Sequence, residues 1–267
     1  MIYISDDLVD SLIDIIQVSG KIVLSYYGKS EKKIKFKTDN TPITEADTQT
    51  NKYICDKLSE KFPDIPIISE EGYGFKDKEN SDYFFLVDPL DGTKEFINGT
   101  DEFTINIALI KNKKPVIGVI NVPSKEQLYW TDGSKSFLRD KDNANKILKT
   151  THLDKKNMII EVSKSHLDHE TLKFINEFNT KKLIRSGSSI KLCNIASGKS
   201  TIYPRFGNTM EWDIAAGHAI LSNSGGQIFD KKGNILKYCK KEYRNHGFIA
   251  ISQEKIENSI LETVRNL

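Results

Sequence analysis

The chain has 267 residues, a length that one large α/β or α+β unit or two compact lobes would fill. Hydrophobic residues make up 38% and charged residues 28%, with 7 Pro and 16 Gly, which excludes disordered, collagen-like and solenoid architectures. Lysine and arginine number 39 against 37 acidic residues; a formal charge of +2 excludes a protein that coats a nucleic acid polymer, and any anionic ligand must be met by a local cluster.

The chain opens with an amphipathic helix over about residues 6 to 27, read from Leu8, Leu12, Ile15, Ile16 and Val23 and closed near Gly28. Lys33 to Lys37 alternates as an exposed strand, Thr38 to Pro42 reads as a turn, and a second helix runs from about Glu45 to Lys61, ended by Pro63 and Pro66. Ile65 to Ser69 and Tyr83 to Val87 are short apolar strands, each followed at once by carboxylates. Phe103 to Ile110 and Val116 to Val122 form a hairpin, which Gln127 to Thr131 extends, so a run of antiparallel strands follows two helices. Residues 139 to 157 are polar and poor in apolar side chains, and a lobe boundary is placed near residue 150, giving lobes 1–150 and 151–267. Beyond it come a strand (Met158 to Val162), a helix (about Asp168 to Phe178), a strand (Lys182 to Arg185) and a small-residue helix near Ser189 to Ser197.

Three widely spaced cysteines, Cys55, Cys193 and Cys239, support neither a disulfide framework nor a zinc ribbon. Asp6, Asp7, Asp10 and Asp14 interrupt the N-terminal apolar pattern, and no apolar run approaches about 18 residues. The expectation is a cytoplasmic protein with no transmembrane segment; attachment at the inner membrane face is left open.

Chemistry concentrates in Tyr83-Phe-Phe-Leu-Val-Asp88-Pro-Leu-Asp91-Gly-Thr93-Lys-Glu-Phe96. A buried strand delivers Asp88, Pro89 and Gly92 shape a turn, and a helix can begin at Thr93. Asp88 and Asp91, with the Leu90 carbonyl between them, offer the oxygen donors that a hard cation such as Mg²⁺ prefers. Alone, the segment is equally a plain strand-turn-helix junction. A second acidic site lies in Glu211-Trp-Asp213-Ile-Ala-Ala-Gly-His-Ala219, where Asp213 starts a helix of small residues that must pack very closely; alone, it is also an ordinary first-turn acid. Gathering Glu70, Asp88, Asp91 and Asp213 without a counter-ion would be strongly unfavourable, and cations resolve that conflict. Thr44 and Asp47 read as a capping box at the mouth of the second helix. Gly198-Lys199-Ser200 is not a P-loop, because Cys193 stands where its first glycine is required.

D-P-L-D-G-T followed by W-D-I-A-A-G, with Glu70-Glu71 upstream, resembles the metal-dependent, lithium-sensitive phosphatase superfamily that includes inositol monophosphatase. The resemblance runs from the first helix through Gly226. It implies an α+β fold, a layered α-β-α-β-α sandwich, with Glu70, Asp88, the Leu90 carbonyl, Asp91 and Asp213 as ligands of two or three Mg²⁺ ions. It also implies that Asp47, Thr93 and Glu70 orient and deprotonate the attacking water, and that a homodimer is a common state.

Lys94, Lys191 in Gly187-Ser-Ser-Ile-Lys191, and Arg205 in Tyr203-Pro-Arg-Phe-Gly207 would ring the acidic site with cations suited to a second phosphate, although Lys191 and Arg205 also read as solvated charges. The combination with E-W-D-I-A-A-G-H is similar to the CysQ branch, the 3′(2′),5′-bisphosphate nucleotidases. Such an enzyme takes a small-molecule adenosine bisphosphate and hydrolyses adenosine 3′,5′-bisphosphate to AMP; an inositol monophosphatase or sugar bisphosphatase, or a non-catalytic bisphosphate-binding module, is the alternative. By this resemblance Ser188, Lys191 and Arg205 hold the 5′-phosphate, with Gly92, Thr93, Lys94 and Asp213 also at the substrate. His166 either adds a donor or is a helix-capping or surface residue, and His218 is expected to be packed within its helix.

Overall fold

The computed structural model describes residues 6–29, 34–36, 42–72, 82–165, 167–178, 180 and 182–267. Helix α1 (Asp6–Tyr26) buries Leu8, Leu12, Ile15, Ile16 and Val23 at spacings of three, four and seven, the stripe that a 3.6-residue period puts on one face. Strands β1 (Ile34–Phe36) and β2 (Pro42–Thr44) form an antiparallel ribbon whose first strand is exposed, as its alternating lysines suggest; Lys33 and Lys37 to Thr41 lie outside the described residues. Helix α2 (Glu45–Lys61) starts at the Thr44/Asp47 capping box and lies beside α1.

A seven-stranded sheet follows in chain order: β3 (Ile67–Ser69), β4 (Tyr83–Asp91), β5 (Thr104–Lys111), β6 (Lys114–Val122), β7 (Gln127–Thr131), β8 (Ser136–Arg139) and β9 (Asn145–Ile147). Successive side chains of its central strands face opposite sides. In β4, Tyr83, Phe85 and Val87 join the core under α1 and α2, while Phe84 and Leu86 join a second core on the opposite face. Both faces are covered, so the strand reads as a continuous apolar run.

The rest of the chain supplies β10 (Ile160–Ser163), α4 (His169–Glu177), β11 (Leu183–Ser186), α5 (Ile190–Ala196), β12 (Ile202–Arg205), β13 (Thr209–Met210), α6 (Glu211–Ser222), β14 (Gln227–Phe229), β15 (Arg244–Asn245), β16 (Phe248–Ile251) and α7 (Asn258–Arg265). The short helix α3 (Thr93–Ile97) follows β4 in the first half. Five strands make a second sheet in the order β11-β10-β12-β16-β14, parallel across its first three and antiparallel at β16. Helices α5 and α6 lie between the two sheets, and α4 and α7 cover the outer face of the second through Phe174, Ile260 and Val264. The layers therefore run α-β-α-β-α, as expected.

Several local expectations are corrected. β3 runs parallel to β4, so the strand run is not wholly antiparallel. β4 continues past Val87 to Asp91, because a bulge between Asp88 and Asp91 lets it keep pairing with β5 across Pro89. The polar stretch 139–157 contains the exposed edge strand β9 and a single 3₁₀ turn. The segment between β9 and β10 contains residue 150, while the middle core draws side chains from both halves, Phe84 and Ile120 with Ala216 and Ile220. No helix among the described residues is long and apolar enough to cross a membrane.

The Ala and Gly residues of α6 have the structural consequence anticipated for them. A Cβ at Gly118 of β6 would stand 2.2 Å from the Ala216 carbonyl oxygen, so helix and sheet meet backbone to backbone. Gly118→Ala should therefore push α6 outward and destabilise the protein by about 1–3 kcal/mol, the usual cost of overpacking. Thermal unfolding would register this as a lower Tm, and an unchanged Tm would show that α6 yields freely.

Candidate active site

The bulge that ends β4 builds the acidic wall. Asp88 Oδ1 accepts the Leu90 backbone N–H at 3.1 Å, closing the turn. Gly92 then adopts φ 87, a left-handed conformation that favours glycine, and α3 begins at Thr93. Glu70 arrives at the end of β3, its N–H bonded to the Val87 carbonyl of the neighbouring strand. Asp213 comes from the first turn of α6, where Oδ2 accepts the Met210 N–H at 2.7 Å.

Glu70, Asp88, Leu90, Asp91, Gly92, Thr93, Lys94, Ser188, Lys191, Arg205 and Asp213 all line one cavity of about 640 Å³. Asp47 stands behind it, joined to the wall through Thr93: Thr93 Oγ1 lies 3.1 Å from Asp47 Oδ1 and 3.2 Å from the Leu90 carbonyl. Asp47 Oδ2 meanwhile accepts the Thr44 N–H at 2.8 Å and the Thr44 hydroxyl at 2.5 Å. The capping box and the link to Thr93 thus coexist on the two oxygens of one carboxylate. His166 lies outside the described residues. His218 is buried in α6 against the Tyr238 hydroxyl and Gln227, and burial pushes its pKa down to about 4, so it is a neutral packing residue.

Electrostatics sets the character of the acidic wall. Burial pushes the Asp88 carboxyl well above the usual carboxylate range, and the charges of Glu70, Asp91 and Asp213 push it further. Asp91 rises to about 7, again chiefly through burial, against the opposing pull of Lys191. Asp213 is raised well above its ordinary value by burial, Asp91 and Glu70, and Asp47 is raised by burial against its hydrogen bonds from Thr44 and Thr93. Asp91 and Asp213 keep some surface open to the cavity although protein packs densely around them. Among the described residues no three acidic, His or Cys groups are grouped as a ready-made metal cluster. The donor set fits a hard divalent cation nonetheless, being all oxygen and rich in charge that burial penalises.

The same cavity is also lined by the cations Lys94, Lys191, Arg205 and Arg244. Lys191 is 6% exposed, in the first turn of α5, with Nζ donating to the Ser186 and Ser188 carbonyls and lying 5.4 Å from the Tyr203 ring centroid. Burial lowers its pKa while Asp91 and Glu161 pull it back. Ser188, which lines the cavity, is held at φ 42, and its Oγ is buried with no hydrogen-bond partner among the described residues. Ser189 locks this loop onto β5 by taking the Thr104 hydroxyl and donating to Asn106 Oδ1, both at 2.8 Å.

Sequence reading missed Glu95, Trp212 and Arg244, which also line the cavity. Trp212 immediately precedes Asp213 and its Nε1 is buried without a partner among the described residues. Arg244 arrives through the β13–β15 ribbon, where it pairs with Met210, a contact with no local signal.

The raised carboxyls carry a stability consequence with a definite sign. A carboxyl whose folded pKa lies above its unfolded value contributes stability while protonated, and that contribution disappears as pH rises through the folded value. Metal-free protein should therefore lose Tm between about pH 5 and pH 8, and a divalent cation should restore more of it at the upper end. Thermal melts with chelator or cation across that range test this; a cation effect independent of pH would contradict it.

The inositol monophosphatase family model matches residues 5–267 of this chain. Curated relatives include the 3′(2′),5′-bisphosphate nucleotidase CysQ of Escherichia coli strain K12, 34% identical over 90% of this chain and 98% of that protein, and the CysQ of Buchnera aphidicola, 38% identical over 91% and 93%. Among solved structures, CysQ from Bacteroides thetaiotaomicron superposes with a TM-score of 0.77 at 37% identity, covering 91% of this chain and 97% of that one. An IMPase from Thermotoga maritima superposes at 0.79 over 97% of both chains, and its 22% identity speaks for the fold alone. Cavity, donor set and full-length matches agree: the chain belongs to the inositol monophosphatase family, a family of metal-dependent phosphatases, and is itself a phosphatase.

Proposed function

We propose that this phosphatase is a cytoplasmic Mg²⁺-dependent 3′(2′),5′-bisphosphate nucleotidase that hydrolyses adenosine 3′,5′-bisphosphate to AMP and phosphate. The observation that carries the reading is one cavity lined both by carboxylates and by Lys94, Lys191, Arg205 and Arg244, so that a substrate with two phosphates finds metal-binding and cationic groups in the same space. Its volume of about 640 Å³ suits a mononucleotide. The CysQ names of relatives at 34–38% identity point the same way.

In this reading Glu70, Asp88, Asp91, Asp213 and the Leu90 carbonyl hold two or three Mg²⁺ ions. The ions would acidify the attacking water and stabilise charge on the leaving oxygen. The chain's own contribution is to aim and deprotonate that water. The Thr93 hydroxyl, between the Asp47 carboxylate and the Leu90 carbonyl, accepts from the water while passing its own proton toward Asp47, and Glu70 borders the same space. Asp47 is suited to this role because burial raises its proton affinity while Thr44 fixes its orientation. In the same cavity the Ser188 hydroxyl, Lys191 and Arg205 grip the 5′-phosphate, with the exposed Lys94 nearby.

Two outcomes follow. Phosphate release from adenosine 3′,5′-bisphosphate should require Mg²⁺ and fall at least about a hundredfold in Asp213→Asn with the circular dichroism spectrum unchanged. Undiminished turnover in chelator, with metal removal verified, would end the metal mechanism. Lys191→Ala should reduce kcat/KM for the bisphosphate relative to that for AMP by roughly ten- to a hundredfold, the worth of a charged hydrogen bond. Equal loss on both substrates would show that Lys191 serves the fold or the metals instead.

A further inference from the structure

Glu95 is a cavity-lining carboxylate that no step above employs. It projects from α3, directly beyond Thr93 and Lys94, and is 8% exposed. Its placement is over-determined. Oε1 accepts the Ser165 hydroxyl, which follows β10. A Cβ on Gly92 would lie 3.4 Å from Oε2, and a Cβ on Gly187 would lie 3.1 Å from Cγ. Glu95 is thus wedged between the glycine of the metal-side turn and the glycine that opens the Ser188–Lys191 loop. Its charge is felt on both sides, raising the pKa of Asp91 and supporting the charged form of Lys191.

A carboxylate here is the wrong group for a phosphate, which it would repel at close range. It accepts hydrogen bonds and has no proton to give while ionised. With one phosphate of a bisphosphate nucleotide at the Asp88–Asp91 turn and the other at the Ser188–Lys191 loop, the part nearest Glu95, which lies between Gly92 and Gly187, would be the neutral sugar, whose free hydroxyl is a donor. We propose that Glu95 accepts a hydrogen bond from that sugar hydroxyl, so that the enzyme selects ribose bisphosphates over their deoxyribose analogues. The proposal rests on the bisphosphate reading above. A site built to pair a hydroxyl discriminates strongly against a substrate lacking it, because the buried acceptor is then left unpaired.

The test is a ratio: kcat/KM for adenosine 3′,5′-bisphosphate over that for 2′-deoxyadenosine 3′,5′-bisphosphate, for wild type, Glu95→Gln and Glu95→Ala at one Mg²⁺ concentration. Wild type should favour the ribose substrate by about ten- to a hundredfold, the range of a hydrogen bond to a charged group. Glu95→Ala should bring the ratio close to one, and Glu95→Gln, a neutral acceptor of the same shape, should leave it in between. If the alanine variant fails to fold, the isosteric glutamine variant decides alone. A wild-type ratio near one overturns the proposal. So does a wild-type preference that both variants keep, the signature of a purely structural Glu95, and in either case the bisphosphate reading survives. Wild type that turns over a phosphate monoester but neither bisphosphate overturns the bisphosphate reading and this proposal with it.

Discussion

Carboxylates that water would keep ionised and apart are brought by this fold to the wall of one cavity, and much of the molecule is arranged around that conflict. Burial raises the proton affinity of Asp88, Asp91 and Asp213, and their mutual charge, with that of Glu70, adds to it. Lys191 offsets only part of this, and only at Asp91 among its largest influences. The remaining negative charge is a standing demand for a cation, which is the same property that a phosphatase needs when charge builds on a transferring phosphoryl group.

The layers explain how such a site stays rigid. Asp88 and Asp91 come from the first sheet, Asp213 from a helix in the middle layer, and Arg205 from the second sheet. Three elements of separate layers can share a cavity only if the middle layer is thin. The close approach of Gly118 to Ala216 makes it so, and it fixes the helix that delivers Asp213. The bulge in β4 then turns two successive strand-end carboxylates and a carbonyl toward the same space.

What could be read in advance was local. The D-P-L-D-G-T turn, the Thr44–Asp47 cap and the small-residue face of α6 each signal themselves within a few residues, and α2 spans Glu45–Lys61 as its end signals indicate. What could not be read depends on distant pairing. The parallel β3–β4 pairing has no local signal, since the sequence between the two strands carries no periodic pattern. β9 is exposed at all three positions, so no buried face marks it as a strand. Arg244 sits among ordinary polar neighbours in sequence, and only the β13–β15 ribbon brings it to the cavity; Glu95 lies within the motif itself, but nothing local says that the first turn of α3 points it into the cavity. The Thr44–Asp47 pair illustrates a different limit: a helix cap and a link to Thr93 looked like competing readings, but the two oxygens of one carboxylate serve both.

The account stands on carboxyls that hold protons until a cation displaces them. Isothermal titration of metal-free protein with Mg²⁺ at pH 7, in buffers of different ionisation enthalpy, measures that displacement directly. Because Asp91 sits at about 7 and Asp88 and Asp213 are raised as well, binding should release about one proton or more per site, and the observed heat should vary linearly with buffer enthalpy. Mg²⁺ binding with a heat that is the same in every buffer would mean that the carboxyls were already ionised, and would contradict the account.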